Sequence, residues 1–406
     1  MLTADVVVVG AGPAGAATAI ELARTGRDVL LVDRARFPRD KCCGDGLTTD
    51  ALRVLEELGF TPDGLPGWQP VTDLEFRAPS GRAVALPLPR APGTYAAVVP
   101  RTELDAALVD LARRAGARVA EGRAVAGATA VADRVVLELD GGEPVAARYA
   151  IGADGVWSPL RRALGRAPEG YRGDWHAFRQ YFDGVDGPAA TVLHVWFEED
   201  LLPGYAWAFP LPGGRANVGF GILRGSSVTT RAMAGLWPDL LARPHVRDAL
   251  GTGATPAAPH RAWPIPARVG RVPLSAAGGR VLFVGDAAAA ADPLTGEGIG
   301  QALRSGRLAA QAVVAAGALA PARAAATYAV GVRRDLRRDA SLAGWLQRLS
   351  SSPRVVRTGL RAAGATGWTR RSFARWVFED FPRAYLATPD RWGEHPLAGP
   401  GAFAGR

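Results

Sequence analysis

At 406 residues and 48% apolar composition, the chain can bury more core than one small domain needs, which excludes a disordered chain or a minimal module. Two adjacent cysteines, Cys42 and Cys43, exclude a disulfide framework and four-thiolate iron-sulfur ligation, and they point to a reducing compartment. The net charge is +9, and most of it falls on residues 331–406, where 14 Arg face six acidic residues.

In chain order, DVVVVG (5–10) reads as a buried parallel strand, AGAATAIELART (14–25) as a small-residue helix and DVLLVD (28–33) as a second strand, together one βαβ unit. A Pro- and Gly-rich stretch from Pro62 to Gly93 follows, with short alternating segments at Leu74–Arg77 and Val84–Leu88 that suggest a β layer. Leu104, Leu108 and Leu111 then mark one face of a helix, with Thr102 as its N-cap, before two alternating strands in 117–125 and 133–140. RYAIGADG (148–155) reads as a strand ending in a turn, and 156–165 as a short helix. From about 170 to 275 aromatic residues alternate as in a sheet that covers a ligand. RVLFVGDAAAAADPLTGEGIGQAL opens a strand, loop and long helix, and 331–390 is largely helical with breaks at Pro353 and Pro382.

The division is therefore a discontinuous nucleotide domain (1–66, 101–165, 279–330), a substrate domain (67–100, 166–278) and a C-terminal helical region (331–406). The fold class is α/β: a Rossmann-type domain with an inserted antiparallel β-sheet and C-terminal helices. No zinc spacing, RNP-type aromatic motif or basic heptad helix is present, so nucleic acid is not expected as a partner. The histidines (His176, His194, His245, His260, His395) show no metal spacing, and no metal is expected. No basic segment precedes MLTADVVVV and no run of roughly 18 apolar residues occurs, so a cytoplasmic chain that does not span a membrane is expected.

GAGPAG (10–15) follows an apolar strand and opens a helix, the arrangement of a dinucleotide cradle. Gly10 permits the tight turn, Gly12 lets the backbone approach a pyrophosphate, and Gly15 lets helix and strand pack closely. The helix N-terminus offers unpaired N–H groups to the diphosphate, and Asp33 ends the second strand where a ribose hydroxyl would lie. NAD and FAD both fit this unit.

The later GDAAAAADPLTGEGIGQAL segment resembles FAD-dependent oxidoreductases of the p-hydroxybenzoate hydroxylase fold. That likeness implies FAD, with Gly285 and Asp286 on the ribityl chain, Pro293 nearby, and Gly296, Gly298 and Ile299 starting a helix aimed at the N1 and O2 edge of the flavin. It also places Asp154 and Gly155 of GADG, and Arg101, beside the cofactor, together with Gly10, Gly12, Ala14, Gly15, Asp33 and Arg34 of the first unit. Two further segments resemble the geranylgeranyl reductase family. FPRDKCCGDGL (37–47) is similar to its Cys-Gly loop, which puts Cys43 and Gly44 near the flavin, and YAWAFP (205–210) with GFG (219–221) is similar to its substrate-cavity motifs.

Tyr205, Trp207 and Phe209 share one face of a strand and Ala206 and Ala208 the other, so one face is an aromatic wall, read either as sheet packing or as the lining of an apolar cavity with Gly219 and Gly221. Asp45 and Gly46 read as turn-formers. The resemblance implies a reductase that delivers a hydride from flavin N5 and a proton to an isoprenoid or similar polyene C=C, with Cys43, Tyr205 and Trp207 as candidate catalytic residues. NADPH or another reductant would supply electrons without a second glycine-rich domain. The alternative is an FAD-dependent monooxygenase, a hydroxylase or epoxidase, on the same fold. Seven Arg and no acidic residue between Ala340 and Phe378, interleaved with Trp345, Trp368, Phe373 and Trp376, suit either a solvated helical surface or an anionic membrane approached peripherally.

Overall fold

The computed structural model describes residues 1–226, 228–379, 384 and 399–405. Val6 to Val9 are wholly or almost wholly buried because the first strand, Leu2–Val9, lies between two parallel partners. Val29–Asp33 pairs with one side of it and Val145–Gly152 with the other, and Val281–Phe283 and Arg118–Glu121 extend the sheet outward. Three separated stretches of chain thus build one sheet. Helix Pro13–Arg24 is packed against helix Ile299–Ala316, and small residues set the spacing: a Cβ at Gly306 would fall 2.3 Å from the Ala14 carbonyl oxygen. The Thr18 hydroxyl meets that same carbonyl at 2.8 Å.

The second sheet runs in the order Thr255–Pro256, Trp175–Asp183, Arg215–Leu223, Tyr205–Leu211, Leu193–Trp196, Asp73–Arg77, Ala83–Pro87, with Arg261–Ile265 also paired to Trp175–Asp183. It is antiparallel except at one seam, where Leu193–Trp196 runs parallel to Asp73–Arg77. That seam joins the early excursion to the later one. A third, three-stranded sheet pairs Ala97–Val98 with both Gly46–Leu47 and Gln69–Pro70, and so lashes the loop after Cys43 to the excursion. Ala206, Ala208, Val218 and Phe220 turn to the back of the large sheet, where helices Met233–Ala242 and Pro244–Leu250 cover them. The sequence reading missed these two helices. Their anchor is Trp237, which packs on Phe178 at 5.2 Å and donates to Gln180 Oε1 at 2.7 Å.

Helix Arg338–Leu349 leads into Pro353–Ala363 and Gly367–Phe378, which lie against the other edge, where Val356, Leu360 and Ala374 share a core with Val84 and Leu86. Pro353 opens a helix rather than breaking one, since its missing N–H is not needed there; Pro382 lies outside the described residues. Beyond the helices, Thr94 and Ala402 exchange backbone hydrogen bonds of 2.7 and 2.9 Å, and Phe403 packs on Phe60 and Trp68.

Thr102 is not an N-cap. The helix begins at Arg101 with Pro100 before it, because Arg101 reaches one turn ahead to Asp105 while Glu103 accepts from the Gly67 N–H instead of closing a capping box.

Gly15 is the tightest point of the first unit, with a Cβ there falling 1.8 Å from the Gly10 carbonyl oxygen. Gly15→Ala should therefore destabilise the protein by about 3 kcal/mol, read as a lowered denaturant midpoint; an unchanged midpoint would contradict this packing.

Candidate active site

A cavity of about 1060 Å³ runs from the Gly12 turn, past Cys43 and Trp207, to Phe378 among the C-terminal helices. Pockets for a single small ligand reach roughly 1,000 Å³. This one is at the top of that range and extends well beyond the glycine cradle.

At the cradle end, Gly10, Gly12, Ala14, Asp33 and Arg34 line the cavity, whereas Gly15 does not: it is spent on the helix–strand contact. Nothing of the protein fills the space at Gly12, and the nearest atoms to a Cβ there are guanidinium nitrogens of Arg101 and Arg39, each 3.7 Å away. Both arginines pair with one buried carboxylate, Asp105, at 2.7 Å. Two cations against one anion leave positive charge facing the turn, as a diphosphate requires. The sequence reading missed Arg39; its signal was a basic residue in the loop preceding CCGDG. Asp33 accepts from the Ala11 and Ala35 N–H groups at 2.7 and 2.8 Å, which fixes its carboxylate at the strand end.

Arg101, Asp154, Gly155, Gly285 and Asp286 also line the cavity. Asp154 accepts from Ser158 Oγ and the Leu160 N–H, and burial pushes its carboxyl up. Asp286 faces the chain's one lysine, Lys41, at 3.1 Å, a partner the sequence did not reveal. Gly296, Gly298 and Ile299 line the wall where the long helix begins, but its Ile299 and Gly300 N–H groups are taken by Glu297 Oε1 at 3.0 and 3.1 Å. A flavin edge at that terminus would have to compete with this carboxylate. Pro293 is not a lining residue, and its carbonyl accepts from Trp175 Nε1.

Tyr205, Trp207, Phe209 and Gly221 line the cavity with Cys43 and Gly44. Gly219 lies beneath them, and a Cβ there would fall 2.5 Å from Trp207 Cζ2, so its role is to make room for the indole. The Tyr205 hydroxyl donates to the Thr295 carbonyl. Burial pushes the Cys43 thiol up and the Cys42 thiol to about 12, so both are neutral thiols at neutral pH. Cys43 therefore carries a proton and is no nucleophile.

Asp45 is a turn-former, with φ +66, and more than that. Its fully buried carboxyl accepts at Oδ2 from the Tyr181 hydroxyl at 2.5 Å and from Asn217 Nδ2 at 2.8 Å. Asn217 also donates to the Cys43 carbonyl at 2.8 Å and accepts from Trp207 Nε1 at 3.1 Å. Sequence could not connect residues 45, 181 and 217.

Beyond the wall, the cavity passes between Phe76, Val195 and Phe197 of the sheet and Leu360, Phe373 and Trp376 of the helices, and among the described residues no charged side chain lines this half. Among the described residues, no cluster of His, Cys, Asp and Glu is arranged to hold a metal.

Residues 3–323 match the family described as an FAD binding domain. A menaquinone reductase of Mycobacterium tuberculosis is 40% identical over 328 residues, 76% of each chain. Digeranylgeranylglycerophospholipid reductase 1 of Methanopyrus kandleri is 35% identical over 329 residues, 77% of this chain and 80% of its own. In structure, the chain is similar to a geranylgeranyl bacteriochlorophyll reductase-like protein of Thermoplasma acidophilum, with a TM-score of 0.79 over 96% of this chain and 99% of that one; at 22% identity this shows a shared fold.

Arg39 is part-exposed and holds charge at the Gly12 turn. Arg39→Met should weaken FAD binding about 10-fold, roughly 1.4 kcal/mol, in a fluorescence titration of the apoprotein; equal affinity would remove Arg39 from the cradle.

Proposed function

The chain belongs to the geranylgeranyl reductase family of FAD-dependent oxidoreductases, and from that premise we propose that it saturates carbon–carbon double bonds of a prenyl chain or similar apolar polyene. The observation that carries this reading is the cavity itself, in which a cationic dinucleotide cradle continues, past an aromatic wall, into a half where no described residue lends a charge to the lining. A hydrocarbon chain can leave water there without an unpaired charge to bury.

When bound and reduced, FAD supplies a hydride from N5, so the alkene gains two electrons and one hydrogen at one carbon and needs a proton at the other. The protein's share is to hold and orient. Arg39 and Arg101 hold the diphosphate end, and Trp207 and Phe209 face the polyene with the rings fixed by their neighbours. Tyr205 directs its proton to Thr295, and Cys43 keeps its thiol neutral. NADPH or another reductant supplies the electrons.

The substrate enters, in this reading, from an anionic membrane surface on which the C-terminal helices dock peripherally. Val355 both lines the cavity and is 42% exposed, so the cavity reaches this surface, and Trp345 and Trp368 stand out at 51% and 70% exposure. Arg348, Arg354, Arg357, Arg361, Arg370 and Arg371 fall between Ala340 and Phe378, a stretch of these helices with no acidic residue. Exposed indoles among arginines suit the headgroup region of an anionic bilayer. No described helix is long and apolar enough to cross one.

Incubated anaerobically with a reductant and prenylated candidates such as a prenylquinone or a geranylgeranyl lipid, the enzyme should yield products heavier by two hydrogens. A product that appears only with oxygen and carries one added oxygen atom would instead identify a monooxygenase. The protein should float with vesicles containing anionic lipid and not with neutral ones, and Trp345→Ser with Trp368→Ser should weaken flotation severalfold; equal flotation of both proteins would sink the docking surface.

A further inference from the structure

The reductase reading needs a proton at the second alkene carbon, and neither neutral candidate is well placed: Tyr205 points its hydrogen at a carbonyl, and Cys43 has its charged form suppressed by burial. Asp45 differs from both. It lies in the loop that spans the cavity between cradle and wall, with Arg39 at the Gly12 end and Gly44 and Gly46 under the aromatic rings. A Cβ at Gly44 or Gly46 would come 3.3 or 3.2 Å from Phe209 Cε2. Glycines let the loop pass this close to the wall without displacing the Phe209 ring, and Asp45 stands between them as a cavity-lining residue.

The two carboxyl oxygens of Asp45 have opposite surroundings. Oδ2 accepts two hydrogen bonds, from Tyr181 and Asn217, while Oδ1 is buried without a partner among the described residues. A bare buried oxygen on an ionised carboxylate loses its hydration with nothing in return, whereas a proton placed on it removes the charge. An aspartic acid held in this way stays neutral to a higher pH than an exposed one.

We propose that Asp45 is the resident acid of this site: it stores at Oδ1 the proton that the second alkene carbon receives. The inference rests on the reductase reading above. In the step, the C=C π bond breaks and two C–H bonds form. One hydrogen arrives as the hydride with both electrons, and the other leaves Asp45 as a proton. The aspartate that remains is stabilised by the Tyr181 hydroxyl and the Asn217 amide, with the Arg179 guanidinium stacked on the Tyr181 ring at 4.1 Å, and water restores its proton before the next turnover.

Burial pushes the Asp45 carboxyl up to about 6, against the opposing pull of the Tyr181 and Asn217 hydrogen bonds and of Arg179 and Arg101. The other groups facing it are Cys42 and Cys43 of its own loop, both held as neutral thiols. The acid form is the active one, so the rate falls as pH rises through this value.

The test compares the FAD-loaded wild type with Asp45→Asn, which keeps the shape and an acceptor for Tyr181, and with Tyr181→Phe, which removes a donor that favours the carboxylate. Asp45→Asn should lower kcat roughly 10²- to 10⁴-fold with FAD affinity and KM little changed, and should lose the limb near pH 6. Tyr181→Phe should move that limb to higher pH, which a purely structural role would not do. Without any substrate, the infrared carbonyl band of a protonated carboxyl should titrate near pH 6 in the wild type and be missing from Asp45→Asn. A band difference that titrates in the ordinary aspartate range, or an Asp45→Asn enzyme with the wild-type rate and pH profile, overturns the proposal. Failure of the reductase reading shows separately, as a wild-type enzyme that hydrogenates no polyene.

Discussion

Asn217 is the side chain on which the relation between the two halves of the cavity depends. It is fully buried in the middle of the large sheet, and it joins the indole of Trp207, the carbonyl of Cys43 and the carboxyl of Asp45. In a low-dielectric interior such bonds are costly to leave unmade, so the loop has one favourable position against the wall. The same loop is tied on its other side by Arg39 to Asp105 and by Lys41 to Asp286. Eight residues, from Arg39 to Gly46, therefore set the distance between the cradle and the aromatic face. Errors in that distance would be felt by any pair of ligands that must react across it.

Charge divides the cavity into two solvents. Arg34, Arg39, Lys41 and Arg101 gather at one end, and at the other the described lining between Phe76 and Trp376 carries no charge. A ligand with an anionic head and an apolar tail has only one orientation that avoids burying unpaired charge. Selection here works by repulsion as much as by fit, since the apolar end offers nothing to compensate a phosphate.

Much of this was legible in the sequence because it is written in short segments. GAGPAG with Asp33, the GADG turn and the GDAAAAADPLTGEGIG segment each carry their geometry within a few residues, and the alternation of YAWAFP fixes which side chains share a face. What stayed hidden depends on residues far apart. Arg39 gains meaning only beside Gly12, Lys41 only beside Asp286, and Asp45 only when residues 181 and 217 fold over it. Three assigned residues, Gly15, Gly219 and Pro293, lie one layer behind the surface they were expected to form, because a motif records a requirement for space or backbone without saying which side of the wall it serves. The helices at 233–250 escaped notice since their apolar residues continue the aromatic composition of the neighbouring strands.

The helices that close the apolar half are anchored at more than one place. They share a core with strand Ala83–Pro87, and the last of them is tied down again at its end, where Glu379 pairs with Arg53. Such a wall behaves like a beam supported at both ends, which can bow but cannot swing as a hinged flap does. The passage beneath it then discriminates by girth and flexibility: a slim chain can thread along it lengthwise, while a broad rigid ring system would have to prise the supports apart.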